Sequence, residues 1–345
     1  GCAALGVNVT LAKWVFYVAV KNMQWALCFL TWVSHFSWGV WAVSMPSSVA
    51  LFFSVLGVFL LLMPKGVPAK YLAGLFFLPL FFPVHARIKK NEFRFILLDV
   101  GQGLASVIET KHHVMLYDTG PRYSAGYDAG NSVILPFLKT QGIHKLDTIV
   151  LSHLDDDHSG GLRSVASAIP VNRIYTSNTR GLHLAHLVLC HAGQHWIWDG
   201  VAFEMLYPYQ KTLGSSNDRS CVLKISTGKH ALLLTGDIEK KSEDLLVKQT
   251  TKSLSATVLV APHHGSKTSS SWGFLDAVSP KMGLFPVGYL NRFHFPSKII
   301  VQRYHALGIQ TYQTQKTGAE TVVFKPNQPL VFSFYRAERR RIWSS

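Results

Sequence analysis

A layered α/β fold of sheets and helices, preceded by membrane-associated helices, is what this sequence predicts, and three observations predict it. The first 91 residues contain no Asp or Glu and are crowded with Phe, Leu, Val and Trp. From Phe93 onward the pattern changes to short β-rich runs, each closing on a turn that carries Gly or Asp. Stretches of helical character lie between those runs, and no segment recurs at a fixed period, which excludes a solenoid. A membrane portion followed by a soluble portion suits a 345-residue chain that is 48% hydrophobic. The chain starts on Gly without a charged n-region or signal-peptide pattern, and it reads as a piece of something longer.

In the apolar part, 48–63 (SVALFFSVLGVFLLLM) and 71–84 (YLAGLFFLPLFFPV) flank the turn-like PKGVPAK. Each run is short against the roughly 20 apolar residues of a spanning helix, and together they predict a helical hairpin in the bilayer; the alternative is a buried soluble hairpin. Upstream, 23–43 mixes Trp25, Trp32, Trp38 and Trp41 with Ser, His and Gln, which suits a helix at the headgroup boundary or a further span. Residues 3–20 read as the end of another span. The expected organisation is therefore 1–90 helical membrane region, 91–335 layered domain and 336–345 basic tail.

In the polar part, FRFILLDVGQG, ASVIET, HVMLYDTG and DTIVLSH are predicted strands, followed by FEMLYP, CVLKIST, HALLLTGD, ATVLVAPHHG and KMGLFPVG. Helices are expected in VILPFLKTQG, DIEKKSEDLLVKQT and SSSWGFLDAVSP. The formal net charge of +15 is compatible with a polyanionic partner. Seven of the basic residues flank apolar segments as interfacial anchors, which leaves 27 basic against 19 acidic residues elsewhere. Four cysteines at 2, 28, 190 and 221 form no C-x-x-C pair and no dense framework, so they read as small core or membrane residues and leave the redox compartment open.

The chemistry gathers at strand ends. SHLDDDHSGG at 152–161 places His153, Asp155, Asp157 and His158 directly after an apolar strand, with Gly160 and Gly161 permitting close backbone approach. Neighbouring carboxylates repel, and a dication that cancels the repulsion explains why histidines stand among them. A merely solvated acidic turn leaves the histidines and the glycine pair without a role. LLLTGD then ends at Asp237, and TVLVAPHHGS ends at His263 and His264. If neighbouring strands end at one edge, these residues converge on one pocket.

This ordered set is similar to the signature of the metallo-β-lactamase superfamily, H-x-H-x-D-H followed by a bridging Asp and a final His. More closely, DVGQG at 99–103, YDTG at 117–120, SHLDDDHSGG, TGD at 235–237, PHHGS at 262–266 and NRFHFP at 291–296 resemble the C-terminal domain of the ComEC family, the DNA-internalisation channels of natural competence. The resemblance runs from about Phe93 to near Phe324. It implies an αββα metallo-β-lactamase fold, with His153 and Asp155 on one metal, Asp157 and His158 on another, and Asp237 bridging both. His264 would complete the second site, His263 would face the substrate phosphate, and Asp118 would orient a ligand histidine.

Two departures matter. The second histidine of the superfamily signature is Asp155 here, and the usual third-motif histidine has no counterpart before LLLTGD, where NDRSCVL offers Asn217 or Ser220 to metal or substrate. More oxygen and less nitrogen favours Mn2+ over Zn2+, with Zn2+ still compatible. Two divalent ions suit in-line displacement at phosphorus, with Asp157 orienting the nucleophile and His263 and His294 donating to phosphoryl or leaving-group oxygen. Lys267 and the serines beside it offer phosphate contacts without sequence preference, or else simply a polar loop before a helix. The arginines at 336, 339, 340 and 341 are a solvated tail or a contact to DNA or lipid.

By resemblance, the expected function is DNA hydrolysis during uptake, one strand being degraded while the other enters the cell. Partners would be DNA, membrane lipid and other uptake components, in a bacterial inner membrane crossed several times, with oligomeric state left open. RIKK after the last apolar run argues for a cytoplasmic soluble domain, whereas a nuclease acting before transport would be periplasmic, the side favoured here. The rivals are a small-molecule metallohydrolase and a DNA-guiding or structural domain with a weakened metal site.

Overall fold

A computed structural model of the chain describes residues 9–36, 46–64, 66, 68, 70–81, 87–209 and 214–338. Two compact units divide the chain, Gly1–Phe81 and Phe82–Ser345.

The first unit is helical. One helix of 26 residues, Val9–Ser34, runs through the point where two separate segments are expected from sequence. It is long enough for a bilayer but interrupted by Lys13, Lys21, Asn22 and Gln24. Ser48–Leu62 follows, its N-terminus capped by Ser47, whose hydroxyl accepts from the amide of Ala50. Its 15 residues rise about 22 Å, short of the roughly 30 Å hydrocarbon core. The return arm is a 3-10 helix, Lys70–Phe77, continuing into Leu78–Phe81, and it packs on the preceding helix through Phe53 and Phe76. Among the described residues no helix is long and apolar enough to cross a membrane, so the expected spanning hairpin is observed as a shorter, mixed helical hairpin. The ends of the expected segments 23–43 and 71–84, and Arg339, Arg340 and Arg341, lie outside the described residues.

The second unit is a four-layer αββα sandwich. The first sheet takes the order β17 (Val331–Phe334), β16 (Glu320–Phe324), β1 (Phe93–Leu97), β2 (Ser106–Glu109), β3 (Val114–Tyr117), β6 (Thr148–Leu151), β7 (Ile174–Thr176), β8 (Leu187–Leu189), and the second the order β15 (Gln310–Gln313), β14 (Met282–Phe285), β13 (Val258–Val260), β12 (His230–Leu234), β11 (Val222–Thr227), β10 (Val201–Tyr207), β9 (His195–Trp198), while β4 (Arg122–Ser124) and β5 (Tyr127–Asp128) pair with each other apart from both. The strands that carry the site are β3 (Val114–Tyr117), β6 (Thr148–Leu151), β12 (His230–Leu234), β13 (Val258–Val260) and β14 (Met282–Phe285). Alternation along each strand divides the apolar side chains between two faces. In β12, Leu232 and Leu234 point between the sheets, while Ala231 and Leu233 meet the outer helices. In β6, Val150 points inward, and Ile149 and Leu151 pack outward with Leu138, Leu162 and Val165. Strands buried on both faces are near-continuous apolar runs, which is why TIVL, HALLL and VLV are legible from sequence.

Parallel pairing fixes the site. β3 runs parallel to β6, and β12, β13 and β14 are parallel in register Leu232 with Val258 and Val258 with Met282. Within each sheet these strands deliver their carboxyl ends to one edge, where loops at 118–120, 152–161, 235–239, 262–266 and 286–297 follow.

One feature of this unit overturns the reading of the cysteines. Cys190 follows β8 (Leu187–Leu189) in the first sheet, and Cys221 precedes β11 (Val222–Thr227) in the second. A disulfide joins them across the two sheets with Cα atoms 6.0 Å apart.

Candidate metal centre

Asp118, directly after β3, organises the loop that follows β6. Its carboxylate accepts hydrogen bonds from the Ser152 amide at 2.6 Å, the Ser152 hydroxyl at 2.7 Å and His158 Nδ1 at 2.8 Å. A carboxylate only accepts, so Nδ1 of His158 carries the hydrogen and Nε2 is left to face the pocket. The same logic holds for His264, whose Nδ1 donates to the Pro286 carbonyl at 2.9 Å. Asp118, His263 and His264 all have left-handed backbone conformations, with φ of 58°, 49° and 54°. Non-glycine residues adopt that region at a cost, and such strain concentrates at functional sites.

The two Nε2 atoms stand 3.1 Å apart. Asp237 Oδ1 lies 3.0 Å from that of His158 and 3.5 Å from that of His264, while Asp157 Oδ2 lies 3.8 Å and 3.3 Å away. Asp157, His158, Asp237 and His264 thus offer four ligand atoms all within 4.8 Å of one another. Ligands bound about 2.0–2.2 Å from one tetrahedral ion stand roughly 3.3–3.6 Å from each other. The observed spacings bracket that value, and two nitrogens with their hydrogens committed elsewhere fit a divalent cation.

Electrostatics lead to the same conclusion. Burial pushes the Asp157 carboxyl up, but His158 and His264 outweigh it and hold the group well below the usual carboxylate range. Asp237 is likewise raised by burial and carried well below its ordinary value by His158 and His264. Burial lowers His158, yet Asp237, Asp118 and Asp157 bring it well above the ordinary imidazole value. His264 is raised in the same way, chiefly by Asp237. The cluster demands positive charge among its carboxylates, and protons on the histidines and a divalent ion compete to supply it.

His153 is wholly buried beside this cluster, its ring 4.2 Å from that of His158. Its Nδ1 meets the Ser152 hydroxyl at 3.0 Å, whereas its Nε2 is buried without a hydrogen-bond partner, 3.6 Å from Asp155 Oδ2. The neighbouring His153 is the chief influence that holds the Asp155 carboxyl below its ordinary range. An orphaned nitrogen facing a carboxylate, with Asp237 nearby, is what a second cation would complete. Asp156 takes no part, because it pairs outward with Arg122 at 3.0 Å. Gly160 and Gly161 have the tight approach expected of them. A Cβ on the first would strike the Arg122 amide, and one on the second the Thr119 carbonyl.

The remaining predicted residues fall in different places. His263 lies 3.7 Å from Asp237 through Nε2 and 3.3 Å from Glu239 through Nδ1, at the open side of the cluster. Ser220 does not open to substrate. It is fully buried, and its hydroxyl accepts from the Asp237 amide at 3.2 Å and lies 3.4 Å from His153, so it holds ligands in place. Asn217 opens the turn Asn217–Arg219 and is half-buried. Lys267 and His294 are exposed and line a cleft of about 970 Å³ beside the site. Ser152, Glu239 and the Pro286 carbonyl carry functions that sequence alone does not reveal, although Ser152 sits inside the quoted metal loop.

Residues 98–280 match the family model described as the Metallo-beta-lactamase superfamily. The chain belongs to that superfamily. Curated relatives also place it in the ComEC family of competence proteins. It is 36% identical over 296 residues to "Competence protein ComA" of Neisseria gonorrhoeae, covering 86% of this chain and 41% of that one. It is 34% identical over 238 residues to "Recombination protein 2" of Haemophilus influenzae, covering 69% and 30%. The chain thus spans less than half the length of these relatives. Among solved structures, Igni18, a metallo hydrolase from Ignicoccus hospitalis, aligns at 14% identity with a TM-score of 0.45, over 67% of this chain and 99% of that one. The protein is a member of the metallo-β-lactamase superfamily with a candidate site for divalent metal.

Proposed function

We propose that this chain is the metal-dependent nuclease portion of a membrane DNA-uptake channel, hydrolysing phosphodiester bonds of the strand that is not transported. The observation that carries the reading is the convergence of Asp157, His158, Asp237 and His264, with the orphaned Nε2 of His153 beside them. His158, Asp157, Asp237 and His264 would hold one divalent ion, and His153, Asp155 and Asp237 the other, Mn2+ being favoured by the oxygen-rich donor set. Bound there, the ions supply Lewis acidity toward phosphoryl oxygen and lower the pKa of water. Asp157, half-buried at the mouth of the cluster, orients the attacking water. His263, fixed through Nδ1 by Glu239, presents Nε2 to a phosphoryl or leaving-group oxygen, and His294 approaches from the adjoining cleft.

Relatives named for competence and recombination support DNA as substrate, and the location proposed with it is a bacterial inner membrane crossed several times. Membrane lipid and other uptake components are the partners that location implies. The disulfide favours the periplasmic side, because such bonds persist in oxidising compartments. The test is cleavage of labelled DNA by the purified chain with Mn2+, Zn2+ or chelator, with a small phosphodiester, a lactone and a lactam as competitors. Metal-dependent cleavage that small esters do not suppress supports the nuclease. Preferential turnover of a small ester would assign a different substrate class.

A further inference from the structure

Beside the metal cluster lies a surface of which the proposed chemistry uses only His294. The loop 289–297 separates two clefts of about 520 Å³ and about 970 Å³, each within the range of small-ligand sites, and His294, Phe295 and Lys298 border both. Rings step outward from the metal site along this loop. Phe295 lies nearly parallel to His264, with centroids 6.5 Å apart and planes at 19°. Phe293 then lies nearly parallel to Phe295, at 5.5 Å and 18°. The outermost ring is half exposed, and the Arg292 guanidinium sits over it at 4.7 Å. Tyr289 and Leu290 are 77% and 82% exposed on the rim of the smaller cleft.

These apolar groups are not exposed through slackness. Asn291 clasps the loop with both ends of its amide, donating to the carbonyls of Gly288 at 3.0 Å and Phe295 at 2.8 Å and accepting from the Phe295 amide at 2.9 Å. Leu290 and His294 are held at positive φ, 50° and 55°. A braced, strained loop that leaves Tyr289, Leu290 and half of Phe293 exposed to water beside the candidate metal centre has the character of a binding surface. Its charge names the ligand. Lys267 and Lys298 line the larger cleft and Lys298 and Lys316 the smaller, and no Asp or Glu lines either one among the described residues.

We infer that this loop is a stacking platform for unpaired nucleotides, so that the substrate enters the metal site as a single strand, bases against Tyr289 and the Arg292 guanidinium that Phe293 supports, and phosphates on Lys267, Lys298 and Lys316. Ring faces accept bases only where those bases are unstacked, and a duplex offers them none along its length. The inference rests on the nuclease reading but is tested apart from it, by binding and not by cleavage.

The experiment measures fluorescence anisotropy of a labelled oligothymidylate, and of a duplex of equal length, with the full chain in chelator. The single strand binds more tightly than the duplex. Phe293→Ala weakens single-strand binding roughly five- to a hundredfold, Phe293→Trp retains it, and duplex affinity stays unchanged in both. Lys298→Ala lowers the magnitude of the salt slope for the single strand by about 0.7. Equal or tighter duplex binding by the parent, or single-strand affinity within twofold of the parent for Phe293→Ala, overturns the platform. Failure of the chain to cleave DNA with metal would remove the nuclease reading and leave this binding result to be judged by its own outcome.

Discussion

Replacing Asp118 by Asn tests how far the metal centre depends on a residue that touches no metal. The carboxylate accepts three hydrogen bonds, from the amide and hydroxyl of Ser152 and from His158 Nδ1, and it is fully buried. An amide of the same shape has one accepting atom, so at least one of the donors at Ser152 or His158 must face an NH2 group. Losing a buried charge-assisted bond costs about 1.5–3 kcal/mol, and a donor left facing a donor adds about 1–3 kcal/mol, so the domain should lose roughly 2.5–6 kcal/mol. His158 would also face a neutral amide in place of the carboxylate that fixes its tautomer and orientation, which typically weakens metal affinity about 10- to 100-fold. Calorimetric titration with Mn2+ and Zn2+ measures the affinity, and urea denaturation of the metal-free chain measures the stability. Affinity within twofold of the parent, in a variant that folds, would refute the claim that Asp118 orients His158.

Three further outcomes follow from other parts of the fold. Glu320 is buried with Oε2 unpartnered, and burial pushes its carboxyl up to about 8; a raised folded value means its contribution is fully present below about 4.5 and lost as pH rises through about 8. Stability should therefore fall by up to several kcal/mol across that window, and Glu320→Gln should flatten the fall in urea midpoints between pH 5 and pH 8. Reducing the bond between Cys190 and Cys221, or replacing both by Ser, frees a loop with a sequence separation of 31 and should lower stability by about 3–4 kcal/mol, read from denaturation with and without reductant. Gly103 has φ 139°, and a Cβ there would overlap the Asp157 carbonyl oxygen, so Gly103→Ala should move the metal loop and weaken metal binding at least about tenfold by titration.

The sequence is most readable where burial is two-sided. Apolar runs such as TIVL, HALLL and VLV can hardly be anything but strands, and their turn residues announce where ligands begin. β15 (Gln310–Gln313) escapes notice because it is a polar edge strand, and β9 (His195–Trp198) because it is a short edge strand with no residue fully buried. The disulfide escapes because its cysteines meet only when two separate sheets stack. Ser220 illustrates a different limit. Its position two residues before β11 shows that it lies near the site, but only the packed structure shows that it braces Asp237 and faces away from solvent. Among the three consecutive aspartates, composition cannot separate ligand from bystander. The helical turn Asp156–Ser159 does so, turning Asp156 toward Arg122 and Asp157 toward His264.

That last contrast supplies the most direct test of the account. DNA cleavage by the metal-loaded chain is measured for Asp157→Ala and Asp156→Ala in parallel, with bound metal quantified in each. Loss of cleavage in Asp157→Ala, with Asp156→Ala cutting at close to the parent rate, is the result expected of a hydrolase centred on Asp157, His158, Asp237 and His264. Cleavage at the parent rate by Asp157→Ala would contradict the central claim.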